Sequence, residues 1–140
     1  MMDFNRVRKG IGAVCEGEPA VVAVYVFGSF AKGVASADSD VDVAVLLQKG
    51  PEDAFSLLDF ISALERKLGC RTDVVLLNHA DELLKFEVRK HGKLVFVRSQ
   101  DAVTRFEVMG RKGFEDFMYL HRRYVNSVLY GDRDGQSGSC

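Results

Sequence analysis

Cysteine, an excess of either charge and long hydrophobic runs are all scarce in this sequence of 140 residues. Its three cysteines, Cys15, Cys70 and Cys140, lie far apart and form no Cys-x-x-Cys pair or histidine-containing cluster of metal-ligand spacing. An odd number of separated cysteines argues against a disulfide framework and against a structural zinc site. We therefore interpret them as reduced thiols and expect a cytoplasmic protein.

The charges nearly balance, because 19 Lys and Arg stand against 20 Asp and Glu, and the sequence pI is near 6.3. Nonspecific binding to nucleic acid depends on a positive field, so we expect no direct nucleic-acid partner. No segment approaches the length of a membrane span, and the first sixteen residues contain no apolar signal core. We therefore expect neither membrane insertion nor export.

The composition is that of a globular protein, with 47% hydrophobic and 28% charged residues. We expect one domain over 1–130 and a disordered tail over 131–140, where no large apolar residue occurs. Alternating or continuous apolar runs predict strands at 20–27, 40–47, 72–77 and 93–98, the last at a sheet edge. Helical spacing and start signals predict helices behind Asp3, from Pro51, over 81–90 and over about 101–130.

The order of these elements favours an α/β (α+β) fold, in which a sheet of about four strands is flanked by helices and followed by a long C-terminal helix. One face of that last helix carries an apolar stripe, interrupted by Gly110 and Gly113, where we expect a kink or close packing. The stripe consists of Val103, Phe106, Met109, Phe117, Leu120, Tyr124 and Val128. Phe114, Met118 and Tyr119 lie off the stripe, which suggests that a partner or a second copy covers them.

The most informative motif is Gly28-Ser29 followed, after ten residues, by Asp40-x-Asp42. Side chains at i and i+2 of a strand point the same way, so the two carboxylates lie close together. Their repulsion costs free energy unless a cation lies between them, and hard oxygen ligands of this kind suit Mg²⁺. We therefore interpret Asp40 and Asp42 as candidate metal ligands.

Asp73, at the start of the next predicted strand, would join this pair if the two strands are neighbours. Three converging carboxylates are typical of a two-metal site for phosphoryl transfer. Gly28 and Ser29 would then let a phosphate approach the backbone, while Lys32 and Ser39 are further candidates for nucleotide contacts. Taken singly, each feature has an ordinary interpretation: a turn after a strand, an exposed strand edge and a solvated lysine.

Together, these residues resemble the Gly-Ser-x10-Asp-x-Asp signature of the DNA polymerase β-like nucleotidyltransferase superfamily, especially its minimal (MNT) members. The resemblance extends over about 20–98, and Asp73 matches the third carboxylate. The short chain with one long final helix is similar to MntA-type antitoxins, which are partners of HEPN ribonuclease toxins. Lys32 stands where many relatives carry arginine. A positive charge remains, but lysine lacks the pair of N–H donors with which arginine could bind a phosphate. An R-x4-6-H ribonuclease motif is absent.

The resemblance implies a mixed sheet, ATP as donor with two Mg²⁺ ions, and transfer of AMP to a tyrosine of a HEPN toxin. In that role Asp40, Asp42 and Asp73 are the catalytic carboxylates and metal ligands, and the protein acts as an antitoxin. Two other functions stay open: a nucleotide-binding module that neutralises a toxin by covering it, and nucleotidylation of a small antibiotic. A homo-oligomer also stays open, because a dimer could supply a missing wall of the substrate site.

Overall fold

The computed structural model describes residues 3–28, 40–48 and 55–131 of the chain. In these ranges the helices are α1 (Phe4–Glu16), α2 (Leu57–Leu68), α3 (Glu82–His91) and α4 (Gln100–Asn126). The strands are β1 (Val21–Phe27), β2 (Val41–Leu47), β3 (Thr72–Leu76) and β4 (Lys93–Val97). A 3-10 turn, Leu77–His79, precedes α3, and a π-helical turn, Ser127–Gly131, follows α4. None of these described helices is both long enough and apolar enough to cross a membrane.

The four strands form one mixed sheet in the order β3-β2-β1-β4. β1 is antiparallel to β2 and to β4, whereas β2 and β3 are parallel because α2 connects them on one side of the sheet. The predicted mixed sheet of four strands with a long C-terminal helix is confirmed, as is the position of β4 at an edge.

Side-chain caps explain where the helices begin. Asp3, Asp81 and Ser99 each accept a hydrogen bond from the backbone N–H three residues later, which satisfies a donor that the helix leaves unpaired. Ser56 does the same for α2, so this helix begins at Leu57, later than the predicted start at Pro51. Pro51 itself lies outside the described residues, but Phe55 and Ser56 are not helical. The predicted tail beyond Gly131 also lies outside them.

Helices α1 and α2 cover one face of the sheet, which we call the closed face. Their apolar residues interdigitate with those of β1 and β2 in one core, whose helical members are Val7, Ile11, Cys15, Phe60, Leu64 and Leu68. The two helices approach closely at Gly10, where an added Cβ would lie 2.7 Å from Leu68 Cδ2. Burial raises the pKa of the Cys15 thiol to about 12, so this thiol stays protonated within the core.

Helices α3 and α4 lie on the other face, which we call the site face. Its buried core is a separate cluster of Tyr25, Ala44, Leu77 and Val88. Gly110 and Gly113 leave α4 unbroken and are points of close packing, as one of the two sequence expectations had it. An added Cβ at Gly110 would collide with the guanidinium of Arg89, and one at Gly113 would lie 2.8 Å from Glu82 Oε2.

Candidate functional site

The predicted motif residues within the described ranges meet at one end of the sheet. Phe27, the last residue of β1, is opposite Asp42 near the start of β2. Asp42 is in turn opposite Asp73 near the start of β3. Gly28 directly follows Phe27, and Asp40 directly precedes β2. The topology therefore places one glycine and three carboxylates at the same edge.

Hydrogen bonds at the beginning of β3 hold this arrangement in register. The N–H of Val41 donates to the carbonyl of Arg71 over 3.0 Å, which joins the starts of the two parallel strands. The N–H of Thr72 donates to Glu65 Oε2 over 3.0 Å, so the end of α2 fixes the residue before Asp73. Thr72 is itself buried. The backbone just before Asp73 is therefore held by hydrogen bonds to the start of β2 and to the end of α2.

Strand alternation directs the carboxylates toward the site face. Val41, Val43 and Val45 pack in the core of the closed face, so Asp42 shares the opposite side of β2 with Ala44. On β3, Val75 packs on the site face, and Asp73, two residues earlier, projects to the same side. Asp42 is partly buried and Asp73 is exposed, as suits a site open to a substrate.

Gly28 is the tightest contact of the site. Its φ is 72°, in the left-handed region that favours glycine. A Cβ added here would collide with the carboxylate of Asp42. The absence of a side chain at Gly28 thus lets its own backbone pass directly over this carboxylate, and it would let a phosphate approach that backbone.

The electrostatics show that the three carboxylates influence one another. Burial raises the pKa of Asp42 above its usual value, and the charges of Asp73 and Asp40 raise it further. Such like charges favour a bound cation, and oxygen donors of this kind fit Mg²⁺. Among the described residues, however, no group of three or more Asp, Glu, His or Cys side chains is arranged to hold a metal ion as it stands. A metal at this site is therefore a proposal.

Three of the predicted nucleotide-binding residues, Ser29, Lys32 and Ser39, lie outside the described residues. Their contacts with nucleotide stay predictions. The structure brings the other four together, Gly28, Asp40, Asp42 and Asp73, in the juxtaposition that the motif predicts.

Sequence reasoning missed a polar network on the site face. Tyr25 Oη donates to Glu107 Oε2 over 2.9 Å, and the Tyr25 ring contacts Phe106 with centroids 6.0 Å apart. Arg89 lies over the Phe106 ring at 5.7 Å and its Nη2 donates to the carbonyl of Gly110 over 2.8 Å. Burial and the bond to Glu107 raise the pKa of Tyr25, so its hydroxyl stays protonated. A tyrosine within an otherwise apolar buried strand was the available signal.

This network ties α3 and α4 to β1 two residues before Phe27. A cavity of about 350 Å³ lies beside it, lined by Phe86, Arg89, Lys90, Glu107, Arg111, Phe114 and Glu115. The lining does not include Asp40, Asp42 or Asp73. The network therefore positions the helices of the site face and lies apart from Asp40, Asp42 and Asp73.

Comparison with known proteins agrees with this geometry. Residues 9–101 match the family described as Polymerase beta, Nucleotidyltransferase. The chain is also similar to protein adenylyltransferase MntA of Aphanizomenon flos-aquae (strain 2012/KM1/D3), with 29% identity over 98 residues. That match covers 64% of this chain and 65% of the relative, so it spans just under two thirds of the relative's length.

Two solved structures share the fold over most of the chain. A chain of a toxin–antitoxin crystal structure with AMP-PNP superposes with a TM-score of 0.74 at 22% identity, over 87% of this chain and 98% of the other. A chain from a complex of tri-AMPylated Shewanella oneidensis HEPN toxin with MNT antitoxin gives a TM-score of 0.67 at 21% identity, over 88% and 96%. At these identities the likeness establishes the fold.

Proposed function

Because the chain belongs to the Polymerase beta nucleotidyltransferase family, we propose that it transfers AMP from ATP to a hydroxyl group on a protein, with Mg²⁺ as cofactor. The observation that carries this proposal is the register of Asp42 against Asp73, with Gly28 lying over the Asp42 carboxylate. Clustered carboxylates are costly in a protein that only binds, because they repel one another without a cation. Their presence favours catalysis over simple binding.

Each carboxylate has a separate role in this proposal. Asp40 and Asp42 would hold both metal ions, and Asp73 would be a metal ligand beside the acceptor hydroxyl. Bound Mg²⁺ supplies neutralising charge for the phosphate oxygens and for the attacking oxygen. Gly28 and Ser29 would receive the triphosphate on exposed backbone N–H groups, with Lys32 and Ser39 as further contacts.

The reaction balances as an in-line displacement. The acceptor oxygen forms a bond to the α-phosphorus of ATP while the bond from that phosphorus to the bridging oxygen breaks. Pyrophosphate leaves with the electron pair of the broken bond. The hydroxyl proton passes to solvent or to a carboxylate of the site, and Asp73 is placed for it because it is the exposed member of the Asp42–Asp73 pair.

We place the acceptor on a tyrosine of a HEPN ribonuclease toxin, so that the protein is a cytoplasmic antitoxin. Support comes from the similarity to a protein named an adenylyltransferase and from the fold shared with a chain of the complex that contains an AMPylated HEPN toxin. An added AMP brings a negative phosphate and bulk. Near a ribonuclease site both would oppose the entry of RNA phosphates.

The test is coexpression of the chain with the HEPN toxin proposed as its partner, followed by mass spectrometry of that toxin. Wild type should add one or more AMP groups to a toxin tyrosine, and Asp42→Asn should add none while its thermal melt shows an intact fold. Asp59→Asn is the matched control, because Asp59 is an exposed carboxylate at the start of α2. Chelation of divalent metal from the purified proteins should abolish labelling, and Mg²⁺ should restore it.

The same experiment separates the alternatives. If Asp42→Asn protects cells as well as wild type does, the transfer proposal is wrong and covering of the toxin accounts for neutralisation. If the toxin stays unlabelled while an aminoglycoside or another hydroxylated antibiotic gains AMP, the acceptor is a small molecule. Protection by Asp42→Asn would contradict the transfer reaction itself. Labelling of an antibiotic would contradict only the choice of a protein as the acceptor.

A further inference from the structure

One wall of the cavity between α3 and α4 consists of stacked aromatic rings. The rings of Phe86 and Phe114 are nearly parallel, with 12° between their planes and centroids 4.0 Å apart. Both side chains are only partly buried, so part of their apolar surface is open to the cavity. A volume of about 350 Å³ lies within the range of pockets that hold small molecules. This wall favours a ligand with a flat, apolar body.

Three cationic side chains line the same cavity, Arg89 and Lys90 from α3 and Arg111 from α4. Among the residues that the structure describes, none of the three forms a salt bridge. The Lys90 ammonium lies over the Phe86 ring, with Nζ 5.3 Å from its centroid. Arg89 Nη1 is buried without a hydrogen-bond partner in the described part of the chain. The positive charge at this cavity is therefore not neutralised by ion pairs.

Two carboxylates also line the cavity, but neither is paired with these cations. Glu107 accepts the hydrogen bond of Tyr25 Oη, which ties it to β1. Glu115 is exposed and lies one helical turn beyond Arg111, and no salt bridge joins the two within the described ranges. The lining thus contains three positive and two negative charges. The excess favours a ligand that carries a negative group.

The two arginines of the cavity are close enough to repel each other. Burial lowers the pKa of Arg89 and the charge of Arg111 lowers it further, although the carboxylates of Glu82 and Glu107 act in the opposite direction. An anion beside both guanidinium groups would relieve this repulsion and would gain charge-assisted hydrogen bonds. Arg111 is exposed, and its planar pair of N–H donors fits two oxygens of a carboxylate or phosphate. Arg111 is therefore the first candidate ligand for the anion.

We propose that this cavity binds a small aromatic anion, whose ring packs on Phe86 and Phe114 and whose carboxylate or phosphate is bound by Arg111 and Lys90. None of the three site carboxylates lines the cavity, so the proposal is independent of AMP transfer. Glu107 lines the cavity and also bonds to β1, so a bound ligand would join α3 and α4 more firmly to the sheet. Binding should therefore stabilise the folded chain.

The test is titration of the isotope-labelled chain with naphthoate, an aromatic carboxylate, and with naphthamide, which has the same rings but no charge. Protein NMR gives the dissociation constant and shows which backbone amides respond. Naphthoate should shift amides of the segments 86–90 and 107–115 in a saturable way. Its dissociation constant should be lower than that of naphthamide by about tenfold or more, because only the charged ligand gains the charge-assisted hydrogen bonds. Saturating Mg²⁺-ATP should leave this binding unchanged.

Arg111→Gln should raise the dissociation constant of naphthoate about tenfold and leave that of naphthamide unchanged. Lys112→Gln is the matched control, since Lys112 is the next residue of α4, is exposed and does not line the cavity. It should change neither constant. Phe114→Leu should weaken the binding of both ligands, because both use the aromatic wall. Thermal melts establish that every variant is folded.

Equal affinity of the wild-type chain for the two ligands would overturn the proposal, because the cations would then take no part in binding. An equal loss in Arg111→Gln and Lys112→Gln would overturn it too, since it would indicate a general effect of surface charge. Absence of saturable binding, or responses confined to other parts of the chain, would show that the cavity does not bind this class of ligand. Displacement of naphthoate by Mg²⁺-ATP would show that the cavity is no separate site, and the proposal would again be wrong.

Discussion

On the closed face of the sheet, α1 and α2 bury an apolar core in which Ile11, Val43 and Leu64 have no solvent exposure. On the site face, the buried cluster is small, and it includes the hydroxyl of Tyr25 bonded to Glu107. The site face also carries Asp42, whose pKa is raised by burial and by neighbouring carboxylates. The same sheet is thus packed for stability on one side and charged on the other.

The difference extends to hydrogen bonding. Among the described residues, the buried side-chain polar atoms without a hydrogen-bond partner are Glu82 Oε2 and Arg89 Nη1, and both belong to α3 on the site face. Each lies against a glycine of α4. Unpaired buried polar groups lower stability, so this interface is held less firmly than the closed face. The charged face therefore depends on the apolar one for its fold.

Phe60→Ala removes a large side chain from the core of the closed face and should have the largest effect on stability. Phe60 is 1% exposed and contacts Phe55 with ring centroids 5.4 Å apart. Its truncation should lower the free energy of unfolding by about 3–5 kcal/mol, from lost burial and the cavity that remains. Urea denaturation measures this.

Leu58→Ala in the same helix is the control, because Leu58 is 77% exposed. It should change the unfolding free energy by no more than about 0.5 kcal/mol. Equal losses in the two variants would mean that the closed face is not the main source of stability.

Gly28→Ala changes the site face at the point where the Gly28 backbone lies over Asp42. The left-handed φ of 72° costs an alanine about 1–2 kcal/mol, and the added Cβ would also displace the Asp42 carboxylate. We expect a moderate loss of stability together with loss of AMP transfer. Thermal melts and a labelling assay with ATP measure the two effects separately.

Gly69→Ala isolates the backbone contribution, because Gly69 has a similar φ of 74° but nothing lies within 4 Å of an added Cβ. It should lose comparable stability and keep its activity. If both variants retain transfer, the contact between Gly28 and Asp42 has no part in the site.

Much of this site follows from local pattern. Alternation along β2 predicts that Asp42 and the valines take opposite faces, and the strand order agrees with Asp73 as a neighbour. The contact of Gly28 with Asp42 could not be predicted, because it depends on the turn after β1 and on the pairing of β1 with β2. Neither the conformation of Gly28 nor the pairing of β1 with β2 can be derived from the spacing of residues along the chain.

Two other features were beyond local pattern for related reasons. The start of α2 at Leu57 depends on whether Ser56 or the upstream Pro51 supplies the first turn, and both are good start signals. The apolar stripe of α4 is equally regular where it is buried and where it is exposed. Periodicity identifies the face of a helix but does not show where the sheet beneath it ends.

The smallest expected effects come from two glycines inside helices, Gly12 in α1 and Gly110 in α4. An added Cβ at Gly12 meets nothing within 4 Å, so Gly12→Ala should stabilise by about 0.5–1 kcal/mol through helix propensity. At Gly110 it meets the guanidinium of Arg89, which donates to the Gly110 carbonyl over 2.8 Å. Gly110→Ala should destabilise by about 1 kcal/mol, because a charge-assisted hydrogen bond outweighs the propensity gain.

A double-mutant cycle with Arg89→Met tests whether Arg89 is the reason that Gly110→Ala destabilises the protein while Gly12→Ala stabilises it. Once the guanidinium is removed, Gly110→Ala has no buried cation to displace, and it should stabilise as Gly12→Ala does. The interaction free energy between Arg89 and Gly110, measured by urea denaturation, should then be about 1–2 kcal/mol. If Gly110→Ala stabilises the wild-type chain as much as Gly12→Ala does, Arg89 moves to solvent at no cost. The polar contacts between α3 and α4 would then contribute nothing to holding the site face, and its cohesion would come from the Phe86–Phe114 stack at 4.0 Å instead.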